Sequence, residues 1–241
     1  MKGINKMIKL MKGDCIVRMK EIPDKSIDCV ITDCPYKVVQ GGRTGTKAHG
    51  GIFGEFNEGF KKGTIFDENS IDFKDWLPDV YRVLKEKTHC YIMINGRNLK
   101  DLQTCAEQVG FTFQNLLVWD KGNKTPNRYY MQQLEFILLL SKRPALDIND
   151  MGCGNLLSVK NIIGNKLHPS EKPVQLIDIF VKNSTQPNQI VLDPFLGSGS
   201  TGISCLNNNV SFIGIEKDTK WFEPAKERIL KRYNELKKKQ P

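Results

Sequence analysis

Apolar positions fall into two alternating patterns along the chain. Short apolar runs bounded by polar residues read as buried strands. Residues 29–32, between Asp28 and Asp33, are one, and HCYIMIN at 89–95 is another. Residues 111–119, 134–141, 189–192 and 211–216 repeat the pattern. Between them, apolar residues recur at helical spacing. Phe73, Trp76, Leu77, Val80, Tyr81 and Leu84 mark a helix over 73–87. Leu99, Leu102, Ala106 and Val109 mark a second, which Gly110 closes. Pro173 suits a first helical turn, and Val174, Ile177, Phe180 and Val181 continue its apolar face. A further helix starts near Ser200. The last starts near Thr219 and carries Trp221, Phe222, Ala225 and Ile229 on one stripe. Strands alternating with helices predict an α/β fold with a mostly parallel sheet.

Two stretches break the alternation. Residues 37–64 hold eight glycines, five Lys/Arg and three phenylalanines, which reads as a long mobile loop. Residues 142–167 lack a period and read as a small insertion. At 241 residues, the chain is expected to form one domain with an insertion.

Composition narrows the function classes. Hydrophobic residues are 39% and charged residues 26%, which excludes a disordered or coiled-coil chain. The longest apolar runs, 90–94 and 136–140, are far short of the roughly 18 residues that a membrane helix needs. The lysines of MKGINKMIKLMKGD precede no apolar stretch, so no signal peptide is expected there. Seven cysteines with no CxxC suggest buried free thiols in a reducing cytoplasm. The net charge of +9 points to a polyanionic partner, although part of it sits in the basic segment ERILKRYNELKKKQP.

Residues 190–202 read IVLDPFLGSGSTG. A strand ends in Asp193, a turn holds Gly197 and Gly199, and a helix follows. Glycines there let the backbone approach a ligand closely. The next strand ends in Glu216, and a carboxylate at such a strand tip accepts both hydrogen bonds of a ribose diol. A nucleoside-bearing cofactor follows. NAD and S-adenosylmethionine both satisfy this much, but NAD places a diphosphate on the helix N-terminus and S-adenosylmethionine has none.

Residues 28–36 read DCVITDCPY. The strand delivers Asp33, Cys34, Pro35 and Tyr36 to its C-terminal end. Amino-group methylation has a use for each. An exocyclic amine on a base ring is a weak nucleophile because its lone pair is delocalised. The Asp33 carboxylate and the Cys34 carbonyl would hold its two N–H groups and favour a pyramidal nitrogen. Pro35 stiffens the turn, and Tyr36 would stack on a base flipped from the duplex.

With these residues the chain resembles the S-adenosylmethionine-dependent DNA amino-methyltransferases of the permuted beta group. DCPY (33–36) precedes DPFLGSGST (193–201), as in that group. HPSEKP (168–173) is similar to its His-Pro-Thr-Glu/Gln-Lys-Pro element, and GDC (13–15) to its opening. The resemblance implies a Rossmann-like α/β fold with a seven-stranded, mostly parallel sheet, helices on both faces and a small recognition insertion. It implies that Asp33, Cys34, Pro35 and Tyr36 are catalytic. Phe195, Gly197, Ser198 and Gly199 would line the methionine end of S-adenosylmethionine, with Asp193 and Asp33 beside it. Glu216 would hold the ribose and Asp14 would lie near the adenine, with Lys217 adjoining. His168, Ser170 and Lys172 would contact the amino-acid end. Cys34 replaces the group's usual first proline and is not expected to act as a nucleophile.

The implied substrate is duplex DNA with a flipped base. The implied target is adenine N6, with N4-cytosine methylation or a catalytically inactive DNA binder as alternatives. Within 37–64, Arg43, Lys47, Lys61 and Lys62 would meet phosphates, and Phe53 or Phe56 would fill the space left by the base. Lys121, Lys124 and Arg128 with Tyr129 and Tyr130 form a second candidate DNA surface. No metal is expected. A monomer or homodimer, with or without a restriction partner, fits the sequence.

Overall fold

The structure, a computed structural model, describes residues 7–35, 71–126, 129–164 and 166–238. The 37–64 loop, Tyr36 and Arg128 lie outside the described residues. Among the described residues, eight strands form one sheet. They are β1 (Ile8–Lys12), β2 (Ile27–Asp33), β3 (Leu84–Ile94), β4 (Phe111–Thr125), β5 (Gln132–Lys142), β6 (Leu156–Ser158), β7 (Ile190–Asp193) and β8 (Ser211–Glu216). The helices among the described residues are α1 (Cys15–Met19), α2 (Phe73–Val83), α3 (Leu99–Val109), α4 (Val174–Ser184), α5 (Ser200–Asn207) and α6 (Thr219–Lys238). The strand order is β1-β8-β7-β2-β3-β5-β4-β6.

The expected seven strands become eight. Neither β1 nor β6 is among the six runs read as strands; β6, inside the 142–167 segment, pairs in parallel with β4 through Val118–Leu156. The helix expected over 73–87 ends at Val83, and Leu84 already has extended backbone (ψ 138°) as the first residue of β3. Gly110 closes α3 in the left-handed region at φ 113°.

Alternation along the strands sorts the core into two layers. Val30, Cys90, Ile92, Leu138 and Leu140 face α1, α2 and α3, where Met19, Trp76, Leu77 and Leu102 are buried. Cys29, Ile31, Tyr91, Ile137 and Leu139 face α4, α5 and α6, where Phe180, Cys205, Phe222 and Ile229 are buried. Helices thus cover both faces, which is why the central strands are apolar throughout. All seven cysteines are free, and five are buried. Among the described residues, no helix is long and apolar enough to cross a membrane, and no His, Cys, Asp or Glu cluster fits a metal ion.

The sheet positions the site. β2 runs to β3 on one side, β7 runs to β8 on the other, and β2 and β7 pair in parallel through Cys29–Val191 and Val30–Leu192. A crevice opens where the winding reverses, beyond the carboxyl ends of these two strands. Asp33 ends β2 and Asp193 ends β7, so both carboxylates stand at this point.

Candidate active site

A cavity of about 650 Å³ lies at the crevice, within the range of about 300–1,000 Å³ usual for small-ligand sites. Its wall includes Asp14, Asp33, Cys34, Pro35, His168, Ser170, Lys172, Asp193, Phe195, Gly197, Ser198, Glu216 and Lys217. Every described residue that the sequence assigned to the site is therefore present, with one exception. Gly199 faces away from the cavity. A Cβ built there would stand 3.0 Å from Ile229 Cδ1, against α6. Its φ of 79° is what makes it glycine, because it caps α5 in the left-handed region.

The Gly-rich turn is tied from below and from the side. Asp193 Oδ1 accepts hydrogen bonds from Thr32 Oγ1 at 2.8 Å and from the Phe195 amide at 3.1 Å. Its Oδ2 accepts from Thr201 Oγ1 at 2.7 Å. Burial pushes this carboxyl up to about 6, and the three donors hold it back from rising further. Asp193 thus fixes the turn, and both of its oxygens are engaged within the protein. Glu216 lies at the tip of β8. Its Oε2 accepts from the Gly197 amide at 3.0 Å and its Oε1 from the Asp218 amide at 2.9 Å. Burial raises its pKa despite these amides.

Asp14 caps α1, with Oδ1 accepting from the Ile16 amide at 3.0 Å. Its Oδ2 pairs with Lys217 Nζ at 3.0 Å. His168 Nδ1 accepts from the Ser170 amide at 3.1 Å, which leaves the neutral ring. Burial and the nearby Lys172 charge hold its pKa down at about 4. The ring stands edge-on to Trp221 with centroids 4.3 Å apart. The sequence reading placed Trp221 on the apolar stripe of α6. It lies instead in the cavity wall.

At the DCPY turn, Lys172 Nζ bonds Asp33 Oδ2 at 2.6 Å. Burial raises the Asp33 carboxyl, Lys172 opposes the rise and Glu135 adds to it. The Cys34 thiol points into the core, 3.8 Å from the Met93 carbonyl, and is 2% exposed. Burial and the Asp33 charge raise its pKa well above the ordinary thiol range. A thiol so placed forms little thiolate, so Cys34 is not built to be a nucleophile.

Sequence reasoning also missed the groups behind the site. Arg228 of α6 bonds Glu171 Oε1 at 2.8 Å and the Ser198 carbonyl at 2.9 Å, joining HPSEKP to the Gly-rich turn. Glu135 reaches Lys172 from β5. Neither residue belongs to a motif, and both were hidden inside ordinary strand and helix patterns. Lys121, read as a DNA contact, turns inward to Glu135 Oε1 at 3.2 Å and is 11% exposed. Lys124, Tyr129 and Tyr130 are exposed as expected.

Type II methyltransferase M.HinfI of Haemophilus influenzae is 27% identical, over 91% of this chain and 67% of that protein. Type II methyltransferase M2.MboI of Moraxella bovis is 26% identical, over 96% and 89%. The crystal structure of an M1.HpyAVI–SAM complex aligns with a TM-score of 0.67 at 26% identity, covering 92% of this chain and all of that one. The cytosine-N4-specific PvuII DNA methyltransferase shares the fold, with a TM-score of 0.68 at 18% identity over 99% and 96% of the two chains. A family model for N6/N4 enzymes, described as DNA methylase, matches residues 27–152 and 149–227. The chain belongs to this DNA methylase family.

Proposed function

We propose that this protein transfers a methyl group from S-adenosylmethionine to the exocyclic N6 of adenine in duplex DNA. The observation that carries the reading is the acidic first residue of DCPY. The Asp33 carboxylate stands at the switch point of the sheet, in the wall of the same cavity as Gly197 and Glu216.

The residues of the cavity fit the donor. Gly197 has φ 50° and leaves the space beside His168 open. Glu216 suits a ribose diol, and Asp14 with Ile215 suits an adenine ring. Phe195, held edge-on to Trp76 at 5.1 Å between centroids, provides an apolar wall. His168, Ser170 and Lys172 suit the zwitterionic amino-acid end. Bound there, S-adenosylmethionine supplies a methyl group on a cationic sulfur.

The chain's own part is to prepare the nucleophile. Asp33 and the Cys34 carbonyl accept the two amine hydrogens, and the nitrogen lone pair is left free to attack. Pro35 keeps the two acceptors in register. The amine then loses one proton to solvent, and no covalent enzyme intermediate forms. The described residues share one sheet, which supports a single domain. Residues 142–167, with Leu146, Met151, Leu156 and Ile163 exposed around β6, are the target-recognition segment of this reading.

The test is methyl transfer from labelled S-adenosylmethionine to unmethylated DNA, with nucleoside digestion and mass spectrometry. N6-methyladenine is expected. N4-methylcytosine would replace the target, and no methylated nucleoside would overturn the reading.

A further inference from the structure

Asp33 carries a burden that the proposed chemistry alone does not explain. Its carboxylate has to receive an amine, yet a cation already holds it. Lys172 Nζ is 2.6 Å from Asp33 Oδ2. The same Nζ is 3.4 Å from Glu135 Oε2. Glu135 Oε1 in turn is 3.2 Å from Lys121 Nζ. Four charges of alternating sign therefore run from the catalytic turn along the sheet edge. Both lysine side chains are about nine-tenths buried.

The topology explains how Glu135 comes to be there. β5 is antiparallel to β3, with Phe136 opposite Ile94. Its first residues therefore lie at the carboxyl end of β3, the edge where Asp33 ends β2. β4 is antiparallel to β5 and brings Lys121 to the same edge. Glu135 thus enters the neighbourhood of the site from the strand opposite in direction to those that carry the motifs.

We propose that Glu135 is a positioning residue for methyl transfer: it takes up the Lys172 ammonium when Asp33 turns to the target amine. The inference rests on the amino-transfer reading above. Drawing a buried ammonium away from Asp33 gives up a close ion pair in a low dielectric, which is costly. A second carboxylate 3.4 Å away removes that penalty, because a small side-chain rotation exchanges one partner for the other. Lys121 keeps Glu135 ionised and aimed. Burial acts to raise the Glu135 pKa, and the two lysines together bring it below the ordinary value.

The test is a double-mutant cycle on the full chain with duplex DNA. Glu135→Gln keeps an acceptor oxygen and removes the charge. It is expected to lower kcat by about tenfold, with S-adenosylmethionine affinity within about threefold of wild type. In a Lys172→Gln background the same substitution is expected to change kcat by less than about twofold, because Glu135 then has no cation to receive. If Glu135→Gln melts below the assay temperature, Glu135→Asp replaces it, with about a threefold loss expected in the Lys172 background alone. Unaltered kinetics, or the same loss in both backgrounds, would overturn the inference. Wild-type protein that transfers no methyl group would overturn the functional reading itself, which separates the two failures.

Discussion

Thr32 donates a hydrogen bond to Asp193 across the junction of β2 and β7, at 2.8 Å, with both side chains buried. Thr32 precedes the DCPY turn and Asp193 opens the Gly-rich turn. One hydroxyl therefore adds a side-chain tie between the two halves of the site to the β2–β7 ladder. Thr32→Val keeps the shape and removes the donor. It is expected to cost about 1–3 kcal/mol, read by thermal melting, and to weaken S-adenosylmethionine binding in a calorimetric titration.

Asp33→Asn removes the charge that receives the amine in the proposed reaction. Methyl transfer is expected to fall by about 100-fold or more, with cofactor binding largely retained. Equal losses in turnover and cofactor affinity would place Asp33 in binding rather than in the transfer step.

Cys34→Ser is expected to keep methyl transfer within about tenfold of wild type, since the proposed role of Cys34 needs only its main-chain carbonyl. The native thiol is also expected to resist iodoacetamide, because it is 2% exposed. An inactive Cys34→Ser enzyme that still binds cofactor would contradict the amino-transfer role.

Gly202→Ala tests packing rather than chemistry. Its Cβ would stand 2.7 Å from Ile229 Cδ1 and 2.9 Å from Phe212 Cε1. A loss of about 1–3 kcal/mol is expected, seen as a lower Tm. Trimming Ile229 to Val in the same chain is expected to recover part of it.

His168 gives a signed pH dependence. Its folded pKa of about 4 lies below the ordinary 6.5, so the unfolded chain binds its proton first as pH falls. The stability that His168 contributes is full above 6.5 and is lost as pH falls toward 4. The Tm difference between wild type and His168→Asn is therefore expected to shrink over that window. A difference that grows with acid would reverse the assignment.

GDC, DCPY and DPFLGSGST were legible because each sits where a strand gives way to a turn, whereas HPSEKP leads into α4. At those turns Asp33, Gly197 and Glu216 need particular residue types, and strand ends follow from the apolar runs before them. Glu135 was not legible, because it lies in the run LEFILLL and reads as the polar tip of a strand. Its role depends on β5 running antiparallel, which alternation along one strand does not reveal. Strand β6 escaped for the opposite reason: it spans three residues and has no period of its own. Trp221 was misplaced because an aromatic at helical spacing marks one side of a helix without saying what lies opposite. Here that is His168.

The pairing of β1 with β8 has a consequence for synthesis on the ribosome. Met7 and Ser211 hydrogen-bond across 204 positions of sequence, and Asp14 meets Lys217 beside the same strand pair. The segment bearing β2 to β5 emerges long before the strands that complete the cavity. A nascent chain stalled before β8 would carry the DCPY turn without Glu216 and Lys217, and so with an incomplete cavity. Truncated products of that kind are therefore expected to be silent rather than indiscriminate.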